Sequence, residues 1–140
     1  MNELNLVMRF LHILSAVALV GGAIAWRFAV IPATEPLGAD MRTKIGNAIA
    51  ASWRPVFFAS VAGLLISGIW NYMNKGTVPP AWNAVIGIKF ILVLHVLAVG
   101  YLVTTPNNEK RSRQLTGIVI SGVVIVILGA VLRALSGGLL

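Results

Sequence analysis

Long apolar runs separated by short polar clusters make up most of the chain. A helix needs about 20 apolar residues to cross the hydrocarbon core of a bilayer. Four stretches meet that length, at residues 6–31, 55–72, 84–103 and 115–135. The first stops before Pro32, and the second opens on Pro55, a residue suited to a first helical turn. The third ends before Thr104, Thr105 and Pro106, and Gly137 with Gly138 closes the fourth. Asp40 is placed to cap a short juxtamembrane helix over 41–52, which can extend the second span. Residues 74–83, with Pro79, Pro80 and Trp82, read as a surface connection carrying an interfacial aromatic anchor. The predicted fold is all-α: one transmembrane domain, 1–140, built as a four-helix up-down-up-down bundle.

Composition agrees with a lipid solvent. The 140 residues are 58% hydrophobic and 11% charged, whereas soluble domains are about half apolar and a quarter charged. A net charge of +7 would suggest nucleic acid, but the cations gather at the ends of apolar runs, where they meet headgroups instead. Nucleic acid is therefore excluded as a partner. Arg42, Lys44, Arg54, Lys110, Arg111 and Arg113 fall on the side that carries the first and third connections. The positive-inside rule then predicts a multi-pass protein of the bacterial inner membrane with both termini extracytoplasmic. Ala23, Ile24 and Ala25 imitate a signal-peptide cleavage site, but the apolar run continues through Phe28 to Ile31 and Glu3 spoils a basic leader. The absence of cysteine removes disulfides, thiolate metal sites and a Cys nucleophile.

Small residues let membrane helices approach closely. Ala18, Gly22 and Ala25 form such a stripe on the first span, with Gly21 beside it. Ser60, Gly63 and Ser67 share a face of the second, and the fourth offers Gly117, Ser121, Gly122 and Gly129. In this topology the first and third helices run parallel across the bundle diagonal.

Ionisable groups within spans are costly and mark functional sites. The only two histidines, His12 and His95, lie on that diagonal pair. His12 is predicted roughly 9 Å inside its span and His95 roughly 12–16 Å inside its own, level only if the third helix starts near Gly87. Two facing imidazoles would ligate a haem iron from both sides, with Gly21, Gly22 and Gly63 leaving room for the porphyrin. Arg9 and Lys89 are the candidate partners for its propionates. Arg27 and Arg133 read as anchors at span ends. Met8 and Met73 with His12 would instead suit a soft ion such as Cu(I).

The string LHILSAVALVGG, Leu11 to Gly22, resembles the opening helix of the CopD-type membrane domain superfamily, which includes copper-resistance CopD proteins and HemJ-like protoporphyrinogen oxidases. His12, Gly21 and Gly22 match its pattern. GIKFILVLHVL, Gly87 to Leu97, is similar to the family's lysine-bearing third helix, with Lys89 in the lysine position. Leu19 stands where that first helix usually carries Trp. The resemblance implies either haem b binding with porphyrin oxidation, in which the His12 and Lys89 positions matter, or copper uptake.

The leading expectation is a haem b protein serving electron transfer or porphyrin oxidation, an oxidoreductase if it turns over. The alternatives are copper transport or binding, and a structural subunit whose histidines only pack. Beyond the lipid bilayer, other membrane subunits or further copies of the chain stand open as partners.

Overall fold

The computed structural model describes residues 2–137, so Gly138 lies outside the described residues. Four helices form, each long and apolar enough to cross a membrane: α1 Glu3–Thr34, α2 Ala39–Met73, α3 Pro80–Val103 and α4 Arg111–Leu135. Among the described residues there is no strand. The protein is a multi-pass, all-α membrane protein. One end of the bundle carries the start of α1, the end of α4 and the 74–79 connection; we call it the terminal face. The other, the basic face, carries the α1–α2 and α3–α4 connections.

Helix boundaries follow from local chemistry. Asn2 caps α1 by accepting the Leu4 amide at 2.9 Å, which satisfies one of the helix's unpaired first-turn donors. The helix does not stop at Pro32. A widened π turn, Trp26–Val30, directly precedes it, and extra room on that turn accommodates a ring that would collide with an ordinary one. Pro55 does not begin α2 but lies inside it. The 41–52 segment and the second span are one 35-residue helix, capped by Gly38 with Asp40 in the first turn. Pro80 takes the first turn of α3, so that helix starts four residues before the expected Ala84. Trp82 is thereby drawn into α3 and buried, stacked on Tyr72 with ring centroids 6.0 Å apart, rather than anchoring in a loop. α4 likewise starts at Arg111, one turn before Leu115.

A second π turn, Val17–Gly21, resets the face that α1 buries. The expected stripe through Ala18, Gly22 and Ala25 is replaced by Ser15, Leu19, Ala23 and Trp26. A four-residue step overshoots an ordinary α turn by about 40°. Wider π turns, with more residues per turn, cancel that drift and hold the stripe straight.

Packing joins two hairpins, α1 with α2 and α3 with α4. The buried apolar cluster contains Leu19, Ala23, Trp26, Phe57, Val103, Leu115 and Ile118, and so sits toward the basic face. α1 meets α4 only from its Val17–Gly21 turn onward, where Val20 fills the space left by Gly122. Its first half, Glu3–Ala16, packs on α2 and makes no sustained contact with α4. The α1 and α4 backbones therefore diverge in the terminal half of the bundle.

Close approaches depend on glycine. A Cβ at Gly100 would overlap the Phe57 ring, and one at Gly22 would meet Trp53 Nε1 at 2.6 Å. Gly100→Ala is expected to destabilise the fold by about 1–3 kcal/mol through overpacking. Gly87→Ala, with no atom within 4 Å of the added Cβ, should be neutral in the same detergent unfolding series. The remaining apolar surface, which includes Leu14 at 70% and Ile91 at 69% exposure, faces lipid.

Candidate functional site

His12 and His95 are not brought together. Each reaches the neighbouring helix of its own hairpin: His12 Nδ1 is 2.9 Å from Ser67 Oγ on α2, and His95 Nδ1 is 3.0 Å from Ser121 Oγ on α4. Starting α3 at Pro80 explains the stagger. His12 lies nine residues into α1 and His95 fifteen into α3, a difference of roughly 9 Å along the bundle. That exceeds one helical turn. His95 is also exposed on the outside of the α3–α4 hairpin.

Lys89 takes the place expected of His95. It lies nine residues into α3, as His12 does in α1. Its ammonium would lie 3.8 Å from a Cβ at Gly129 on α4. Gly129 is six residues from the end of α4 and Ser67 six from the end of α2, so all four positions share one level. Among the described residues Lys89 has no hydrogen-bond or ion-pair partner. Both side chains are half-buried, and both lie in the terminal half, where α1 and α4 part.

The hydrogen-bond network separates the two imidazoles chemically. Ser67 Oγ donates to the Gly63 carbonyl one turn back. With its proton committed there, the hydroxyl can only accept from His12, which assigns the neutral ring's proton to Nδ1. Nε2 then keeps its lone pair, and among the described residues nothing hydrogen-bonds to it. A ring held by its Nδ1–H with Nε2 free is the usual arrangement of a metal-ligating histidine. Ser121 Oγ makes no other hydrogen bond among the described residues. That hydroxyl is free to donate to His95 Nδ1 or to accept from it, so either neutral tautomer of His95 fits. The proton is fixed by a neighbour at His12 and not at His95.

Two of the three glycines expected to open a porphyrin slot do not do so. Trp53 occupies the space at Gly22, Ser15 and Leu11 that at Gly63, and Gly21 has nothing within 4 Å. They are helix contacts or open surface. Arg9 is exposed at the terminal face, one turn from His12, beside an open recess of about 240 Å³ that it lines with Asn5, Asn71 and Asn74. Those asparagines escaped notice in the sequence because each sits near a helix end. Their spacing was a usable signal, since Ser67, Asn71 and Asn74 fall on one stripe of α2. Met73 is 76% exposed at the end of α2.

Arginines at the basic face are structural. Arg27 Nε donates to Thr116 Oγ1 at 2.8 Å, tying α1 to α4 as well as anchoring α1. Arg111 is buried; its Nε donates to the Val103 carbonyl at 3.0 Å and a terminal nitrogen to the Thr105 carbonyl at 2.7 Å. Its guanidinium lies 5.5 Å from the Trp26 ring centroid. Arg133 is exposed at the far end of α4. Among the described residues no three His, Cys, Asp or Glu side chains converge. The chain matches no family model, no curated protein and no solved structure.

Proposed function

We propose that this chain is a haem b-binding protein of the bacterial inner membrane, with the basic face cytoplasmic, serving electron transfer or porphyrin oxidation. One observation carries the reading. The Ser67–Gly63 hydrogen bond leaves His12 presenting Nε2 as a bare lone pair, at the level of the Lys89 cation and where the α1 and α4 backbones diverge. That donor set suits a haem: one neutral imidazole for iron and cations for carboxylates. Bound haem would supply one-electron exchange. The chain's own residues orient the imidazole through Ser67, offer Lys89 to an acidic substituent, and admit a flat apolar molecule sideways from lipid. His95 has no part in ligation here.

Resemblance to the CopD-type superfamily supports the same pair, because His12 and Lys89 are the positions it singles out. Copper has less support, since Met73 is largely exposed at its helix end. The test is a reduced-minus-oxidised absorption spectrum of protein purified from haem-replete cells. A b-type chromophore near one per chain is expected; colourless, folded protein would refute the proposal.

A further inference from the structure

Two facing ladders of polar side chains run along the α1–α2 seam. α1 contributes Asn5, Arg9, His12 and Ser15; α2 contributes Asn74, Asn71, Ser67 and Ser60. Their upper rungs line the recess at the terminal face. The donors there are largely uncommitted. Asn5 Oδ1 already accepts from Trp70 Nε1 at 2.9 Å, which turns its amide hydrogens toward other acceptors. Asn71 and Arg9 have no hydrogen-bond or ion-pair partner among the described residues. Asn74 donates to the Trp70 carbonyl at 2.9 Å and keeps its own oxygen as an acceptor. One cation, two free amide donors and no carboxylate make a lining suited to an oxyanion.

The larger recess, at the basic face, offers no such chemistry. Asn108 there is spent on the Leu102 carbonyl, Gln114 and the Lys110 amide, and Asn107 pairs with Asn47. That loop satisfies itself.

We propose that the Arg9–Asn71–Asn5 recess binds the oxyanion of an amphipathic ligand, a carboxylate or a phosphate, whose apolar body lies along α1 toward His12. Arg9 is roughly 4.5 Å and Asn5 roughly 10 Å above His12 along the helix. A molecule anchored at the recess therefore reaches the imidazole within one tetrapyrrole's width. The carboxylate version rests on the haem reading above; the recess itself does not.

The experiment uses the full chain in phosphatidylcholine nanodiscs and follows the fluorescence of metal-free protoporphyrin IX and of its dimethyl ester. Without iron, neither probe needs the His12 ligand. Wild type should bind the free acid at least about tenfold more tightly than the ester, the worth of a charge-assisted hydrogen bond. Arg9→Gln should erase that preference, Arg9→Lys should keep part of it, and His12→Ala should keep it whole. Phosphatidylglycerol retained on wild type in native mass spectrometry, and lost from Arg9→Gln, would support the site with a lipid phosphate as occupant. If neither the free-acid preference nor phosphatidylglycerol retention depends on Arg9, the proposal is overturned. A chain without haem colour would still give a readable answer, so the two readings fail separately.

Discussion

His12→Ala is expected to purify without a b-type spectrum, whereas His95→Ala keeps its haem and its band positions. The asymmetry follows from the Ser67 proton and from the stagger of the two helices. Ser67 gives its hydrogen to the Gly63 carbonyl, which leaves His12 the donor at Nδ1 and free at Nε2. His95 lies about 9 Å further along the bundle, more than a helical turn from the level of His12. Ser67→Ala should lie between these extremes. It removes the partner that orients the ring, a loss that typically weakens metal affinity about 10–100-fold. Haem content by pyridine haemochrome, across the three variants and wild type, reads the series. Equal losses in His12→Ala and His95→Ala would restore the two-histidine arrangement that the helix stagger argues against.

The second large effect is on stability. Arg111→Ala should cost about 3 kcal/mol or more, because hydrogen bonds to a charged group contribute roughly 1.5–3 kcal/mol each. Two carbonyls at the end of α3, Val103 and Thr105, lose their donor, and the Trp26 ring loses the cation above it. Arg111→Lys should recover little, since an ammonium cannot span both carbonyls as the planar fork does. Arg113→Ala, exposed two residues along, should stay within about 0.5 kcal/mol of wild type. Unfolding in mixed micelles of increasing SDS fraction compares them. A mild Arg111→Ala phenotype would mean that this junction bears little of the fold's stability.

The spans were legible because lipid imposes a composition that no soluble domain tolerates, and the Ser60, Gly63, Ser67 face of α2 is indeed buried. Register was not. Nothing in the first run announces two π turns, yet they move the buried stripe from Ala18, Gly22 and Ala25 to Leu19, Ala23 and Trp26. Proline is an ambiguous marker of helix starts: Pro55 suits a first turn but lies well inside α2, while Pro80 holds the first turn of α3. That second shift sets the depth of His95 and pairs His12 with Lys89. Both histidines were visible as candidates. Which nitrogen each leaves open depends on where a serine on another helix sends its proton, and no spacing along the chain encodes that.

Because the chain has only two histidines, its imidazole nitrogens can be read directly by 15N NMR of histidine-labelled protein in bilayers. The account predicts one ring protonated at Nδ1 whose signals disappear in His12→Ala, and a second ring, that of His95, whose signals remain. Added haem should displace the first ring's signals and leave the second's in place. Both rings protonated at Nε2, or haem acting on the His95 signals instead, would contradict it.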